Sequence, residues 1–153
     1  MMKVGKLFFL VAVCELVGIL GSYFTIPQIS GWYQTLNKPP FNPPNWIFGP
    51  VWTALYAIMG VAIYMVVTSG KKIKGAIAVF GLQLALNLLW SLVFFGLHQI
   101  LLALAIIILL WLAIAGTIIK FAKISKTAAY LLVPYLLWVT FASMLNFFVV
   151  ILN

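Results

Sequence analysis

Acidic residues are almost absent from this chain. Glu15 is the only one in 153 residues, against nine lysines, so the net charge is +8 and only 7% of residues are charged. A soluble domain carries roughly a quarter charged residues. A chain that is 66% hydrophobic cannot cover a water-facing surface with polar groups, so its solvent must be lipid. The single Cys14 lies in an apolar run and excludes an intramolecular disulfide framework. The single His98 has no second histidine and only a distant cysteine, which excludes a metal site. There are no paired carboxylates, no nucleophile–base pair, no glycine-rich phosphate loop and no C-x-x-C-H haem motif. No cofactor is expected, and any enzymatic activity would lack a recognisable catalytic constellation. No A-x-A cleavage site follows the first apolar run, which reads as a retained helix rather than a signal peptide. The lysines sit in short clusters between apolar runs, with no basic face. That placement fits membrane topology and contact with anionic lipid, not nucleic-acid binding.

What the chain does have is long apolar runs. About 20 such residues cross the hydrocarbon core as a helix. Five spans are predicted, at about 7–26, 44–68, 76–95, 100–121 and 128–152, within a single membrane domain over 1–153. The expected fold is an all-α integral membrane protein, a five-helix bundle with a long loop, 28–43, between the first two spans. The first span is expected to end at Pro27, and Pro44 to stand near the first turn of the second. Pro50 is expected to bend that span's start, and Pro134 to kink the fifth. Eight lysines (Lys3, Lys6, Lys71, Lys72, Lys74, Lys120, Lys123 and Lys126) fall on one side of such a bundle, and Lys38 alone on the other. The positive-inside rule then puts the N-terminus in the cytoplasm, and the C-terminus and first loop outside it.

Polar groups at membrane depth tend to face the bundle interior. On the third span Gln83, Asn87 and Ser91 recur every four residues with Trp90 beside them. On the fifth, Tyr135, Trp138, Ala142, Leu145 and Asn146 share a face, and Ala142 leaves a gap beside bulky rings. On the second, Trp52, Tyr56, Met59 and Ile63 align, while the fourth offers only apolar Leu102, Ala105 and Leu109, with Trp111 on another face. Such residues pack helices together in many membrane proteins. Trp90 and Trp138 fall well inside their spans, away from interfacial belts, and rings beside a few amides are the lining expected for a large apolar ligand. Glu15 is read as a protonated or hydrogen-bonded acid on the first span rather than a proton carrier, because no relay partner accompanies it. Ala78, Gly81 and Ala85 form a small-residue patch that offers a dimer surface.

The loop is the most specific stretch. Trp32-Tyr33-x-x-Leu36-x-Lys38-Pro39-x-Phe41-x-Pro43-Pro44, then Gly49-Pro50-Val51-Trp52-Thr53-x-Leu55-Tyr56-x-x-Met59-Gly60, resembles the translocator protein family, whose bacterial members are called tryptophan-rich sensory proteins and whose animal members are peripheral-type benzodiazepine receptors. The likeness continues through Gln83-Leu84-Ala85-Leu86-Asn87-x-x-Trp90 and Pro134-Tyr135-Leu136-Leu137-Trp138-x-x-Phe141-Ala142-x-x-Leu145-Asn146. It implies a five-helix bundle, usually a homodimer, with the first long loop as a lid over a pocket. The family's ligands include porphyrins such as protoporphyrin IX, synthetic isoquinoline carboxamides and benzodiazepines, with cholesterol in animal members. The implied ligand-binding residues are Tyr33, Trp52, Asn87, Trp90, Trp138, Ala142 and Leu145. Some bacterial members are similar proteins that degrade protoporphyrin in light, and there the residues matching Trp52 and Trp138 are implicated. Phe41 replaces a common family tryptophan. Leu102 replaces a pocket tryptophan of animal members, which implies a wider, less aromatic wall. The segment 145–153 has neither the tyrosine nor the basic residue of the animal cholesterol pattern, so cholesterol binding is not expected.

Three functions follow from this reading. The first is a receptor or sensor that binds porphyrin-like tetrapyrroles and other flat apolar ligands in the plasma (inner) membrane of a prokaryote. The second is a light-dependent porphyrin-degrading enzyme using Trp52 and Trp138. The third is a transporter of lipophilic molecules, for which ion coupling is disfavoured by the missing charge relay. Within the loop, Tyr33 is the residue expected to touch ligand, and Trp32 and Trp46 are expected to be interfacial anchors.

Overall fold

The structure, a computed structural model, describes residues 2–153. In lipid, every backbone polar group must be satisfied within the chain, so long apolar runs can only be helical. Five segments are long and apolar enough to cross a membrane: Lys3–Ile29, Asn45–Val67, Lys74–Gly96, Ile100–Ala122 and Lys126–Leu152. The chain is an all-helical integral membrane bundle, with no strand among the described residues.

Helix α1 (Met2–Ile29) leads into a short helical turn, α2 (Trp32–Thr35), and an extended proline segment. A 3₁₀ turn at Asn45–Ile47 opens onto α3 (Phe48–Val67). Helix α4 (Lys74–Ser91) continues into a π-helical turn at Leu92–Gly96. Then come α5 (Ile100–Ala122), α6 (Lys126–Leu131) and α7 (Val133–Leu152).

The prolines act differently from expectation at two points. Pro27 does not end α1, which runs on to Ile29. So near the terminus only one intrahelical bond is forfeited, and the helix tolerates it. Pro134 does not kink a continuous fifth helix. The chain breaks there, with Leu132 donating to Ala129 O at 3.1 Å, and Pro134 sits in the first turn of α7, where a missing N–H costs nothing.

Helices α1 and α3 meet closely. A Cβ at Gly60 would lie 2.5 Å from Val11 Cα, and one at Gly18 would lie 2.6 Å from the Tyr56 ring, so only glycine permits this crossing. The core beneath is built from Met59, Ala62, Val66, Leu110, Ile114 and Phe121, all buried, with Phe80 stacked on Phe121 at 5.7 Å. At this lysine-rich end the turns are tied together, because Lys71 Nζ donates to Ile124 O at 2.7 Å.

The expected interior face of α5 is turned outward. Leu102 and Leu109 are each 53% exposed and Ala105 is exposed, so Leu102 forms no wall of any interior pocket. The buried face is instead Ala103, Ile106, Ile107 and Leu110. Trp111 sits at the seam with α7, its indole N–H donating to Thr140 Oγ1 at 2.8 Å. Ala78, Gly81 and Ala85 lie exposed on the outside of α4, with nothing within 4 Å of a Cβ built at Gly81.

Candidate functional site

Away from the lysine-rich end the helices splay around a cavity of about 360 Å³. Each helix enters its wall at one residue and stays beside it to the far end: α1 from Glu15 to Ile29, α3 from Tyr56 back to Phe48, α4 and its π turn from Asn87 to Phe95, and α7 from Trp138 to Val149. Glu15, Tyr56, Asn87 and Trp138 therefore form the floor. Tyr33 from the connecting segment closes the opposite end. Helix α5 contributes no lining residue.

The floor is held by a hydrogen-bond chain. Tyr56 Oη donates to Asn87 Oδ1, Asn87 Nδ2 donates to Tyr135 Oη, and Tyr135 Oη donates to Gln83 Oε1, each at 2.8 Å. Gln83 Nε2 ends the chain at Met59 Sδ, 3.6 Å away. All four polar side chains are buried, so each bond avoids the cost of an orphaned group. This explains the four-residue ladder on α4. Gln83 points to the core, while Asn87 is shared between core and cavity.

Halfway up, Trp90 Nε1 donates to Asn146 Oδ1 at 3.0 Å, and Asn146 Nδ2 donates to Ile100 O at 2.9 Å. Trp90 is thereby held flat against Phe94, centroids 5.4 Å apart, and edge-on to Phe95 at 6.0 Å. Trp52 lies 5.7 Å from Tyr56 and 6.2 Å from Tyr135. Trp138 packs edge-on to Phe48 at 6.0 Å, and its sealed indole N–H has no partner among the described residues.

The connecting segment is tied down at several points. Tyr33 is buried against Phe95 at 5.7 Å, and its Oη donates to Asn42 Oδ1 at 3.0 Å. Burial pushes its phenol above the ordinary 10.0. Lys38 Nζ donates to Tyr33 O at 2.7 Å and Leu36 O at 2.9 Å, and lies 4.9 Å from the Tyr33 ring centroid. Asn37 N donates to Asn153 Oδ1 at 3.0 Å, and Asn153 Nδ2 donates to Asn37 O at 2.9 Å, which fixes the segment to the end of α7. Phe41 packs edge-on to Phe148 at 5.2 Å. Trp46 is 74% exposed, as an interfacial anchor would be. Trp32 is half-buried. It stacks on His98 at 4.0 Å, because His98 takes a left-handed backbone (φ 57°) and is held by Gln28 Oε1 at 3.1 Å.

The structure brings Tyr33, Trp52, Asn87, Trp90, Trp138, Ala142 and Leu145 together around this one cavity. Sequence reasoning missed the α1 wall: Gly18, Ile19, Gly21, Ser22, Thr25 and Ile26. The only signal there was the pairing of small residues at Gly18, Gly21 and Ser22. Glu15, expected to be protonated or hydrogen-bonded, lines the cavity with no hydrogen bond or ion pair among the described residues.

The model of the TspO/MBR family matches residues 10–152. The tryptophan-rich protein TspO of Chlorobaculum tepidum is 47% identical over 146 residues, covering 94% of this chain and 92% of that protein. The tryptophan-rich sensory protein of Cereibacter sphaeroides is 43% identical over 125 residues, covering 80% and 77%. The translocator protein of Bos taurus is 42% identical over 137 residues, covering 87% and 81%.

Proposed function

The chain belongs to the TspO/MBR family, and from that premise we propose that this membrane protein of the sensor/translocator type binds flat, apolar aromatic ligands, porphyrin-like tetrapyrroles above all, in the cavity between α1, α3, α4 and α7. One observation carries the reading. Three indoles, Trp52, Trp90 and Trp138, wall a single cavity whose lining includes no lysine, arginine or histidine. Such a chamber offers stacking faces and a few polar groups, the usual composition of a small-molecule site. The segment over Tyr33 acts as its lid. The lysine-rich end faces the cytoplasm and the lid faces outward from a prokaryotic plasma membrane. A second copy packs on the open Ala78, Gly81 and Ala85 face of α4.

Titrating the purified protein with protoporphyrin IX while following tryptophan fluorescence tests the pocket. Trp138→Phe and Ala142→Thr should each weaken quenching. Unchanged affinity in both would remove the assignment.

Two observations favour further readings of the same cavity. Trp52 stands beside Tyr56 and Tyr135, a cluster of oxidisable rings suited to giving an electron to an excited porphyrin, which leaves the ring cluster oxidised by one electron and the porphyrin reduced by one. Light-dependent bleaching should then disappear in Trp52→Phe and Trp138→Phe, and equal bleaching of free porphyrin would refute an enzyme. Ile19 and Ile26 line the cavity yet are 63% and 66% exposed, so the wall opens sideways toward lipid between α1 and α3. That opening suits transfer of an apolar ligand into the bilayer.

A further inference from the structure

Glu15 is the only side-chain acid in the chain, and it stands at the cavity floor. It lies thirteen residues along α1, roughly 20 Å from the helix start at 1.5 Å per residue, near the midpoint of the Lys3–Ile29 span. A carboxyl at that depth is costly, and by default it marks a ligand or ion path. Three features show what it would recognise. The neighbouring floor groups are spent on one another, because Tyr56 donates to Asn87 and Asn87 to Tyr135. No lysine, arginine or histidine lines the cavity, so no protein cation competes for the carboxyl. The donors without a partner nearby are neutral: the indole N–H groups of Trp52 and Trp138 and the Ser91 hydroxyl. The floor therefore holds one strong acceptor and no cation in the lining to answer it.

We propose that Glu15 forms a subsite at the floor for a proton-bearing nitrogen, so that the cavity prefers aromatic ligands with an amine or ring N–H at their inner end. This rests on the proposed aromatic pocket and adds a chemical polarity to it. In the cavity's low-dielectric surroundings a hydrogen bond from a charged or polarised N–H to a carboxyl is stronger than in water. Anionic groups at the inner end are excluded by the same carboxyl, because no cation there offsets it.

The test uses two probes that differ by one atom. One is a three-ring aromatic bearing a dimethylaminopropyl arm, and the other carries the carbon-for-nitrogen arm of the same shape. Both are titrated into the full chain in zwitterionic nanodiscs, with tryptophan quenching as readout. The amine should bind about tenfold more tightly than its carbon isostere. That ratio should fall to near one in Glu15→Gln. A second measurement needs no variant. The chain is grown with carboxyl-13C-labelled glutamate; Glu15 is its only side-chain acid, so the isotope-shifted infrared band belongs to Glu15 and should shift with the amine but not with the isostere. Equal binding of both probes by the unaltered chain, a preference that survives in Glu15→Gln, or a carboxyl band indifferent to the amine each overturns the subsite while leaving the aromatic pocket standing. If neither probe quenches the tryptophans, the pocket itself is refuted, and the subsite with it.

Discussion

Replacing Gly18 by alanine tests whether the floor of the cavity is set by the α1–α3 crossing. The added Cβ would lie 2.6 Å from both Cδ2 and Cε2 of Tyr56. Carbon atoms rest at about 3.5–4.0 Å, so the overlap is about 1 Å. Tyr56 cannot retreat freely, since it is 4% exposed, has Trp52 at 5.7 Å and is bonded through Oη to Asn87. Either α1 moves away, an overpacking cost of about 1–3 kcal/mol, or the ring swings and orphans the Asn87 carbonyl, adding about 1–3 kcal/mol. The molecule takes the cheaper of the two routes, so the expected loss is about 1–3 kcal/mol, or roughly 2–12 °C in Tm. Thermal unfolding of the purified protein measures the first effect. Porphyrin quenching measures the second, because a displaced Tyr56 intrudes on the floor. Gly5→Ala is the control, as nothing lies within 4 Å of its Cβ, and it should change stability by less than about 1 kcal/mol. Pairing Gly18→Ala with Tyr56→Ala should give less than the sum of the two losses. A Gly18→Ala protein with the Tm and ligand affinity of Gly5→Ala would refute the reasoning.

Two predictions concern the lid. Asn153→Ala removes both bonds to the Asn37 backbone, each exposed and worth about 1 kcal/mol or less; proteolysis within 30–44 should quicken several-fold with little change in Tm, and an unchanged cleavage rate would discard the latch. Burial raises the Tyr33 phenol above 10.0 and so favours its neutral form in the closed lid. Its contribution is therefore whole below pH 10 and lost as pH rises through the folded value. Cleavage of the same segment should climb more steeply above pH 10 in the natural chain than in Tyr33→Phe, whose ring does not ionise, and identical profiles would count against the closed lid.

How much of this was legible depended on whether a residue's chemistry contrasts with lipid. The five spans were legible because lysine turns and prolines punctuate long apolar runs, and such runs have one structural option in a bilayer. The faces of α3, α4 and α7 were legible for a related reason: tryptophans and amides stand out against aliphatic neighbours. Where every face is aliphatic, sequence loses its bearing, because lipid is as apolar as a packed core. Leu102, Ala105 and Leu109 spaced as a helical face, yet that face meets lipid, and only the packing of Ala103, Ile107 and Leu110 decides the rotation of α5. The α1 wall was hidden in the same way, since Ile19, Ile26 and the small residues Gly18 and Gly21 carry no mark of what they face. The break at Leu132 was misread because proline suits both a kink and a first turn.

The cavity is polarised end to end, and this bears on how a tetrapyrrole would lie in it. At the floor stands Glu15, unopposed by any lining cation. Beyond the Tyr33 end, outside the lining itself, stands Lys38, its ammonium held by the carbonyls of Tyr33, Leu36 and Gln34 over the Tyr33 ring, the only lysine on that side of the bundle. A porphyrin that carries carboxylates on one edge has a single favourable direction between these charges. Its acid edge points up toward Lys38 and water, and its apolar edge and ring N–H groups point down. The reverse orientation would set carboxylates against the Glu15 carboxyl, which no lining cation offsets. The same argument makes the lid more than a cover. Lys38 is placed by the carbonyls of Tyr33 and Leu36, so a lid that opens carries away the charge that orients the ligand. On the proposed reading, affinity for a carboxylated ring and closure of that segment would be coupled through one lysine, and a ligand without carboxylates would lose the coupling.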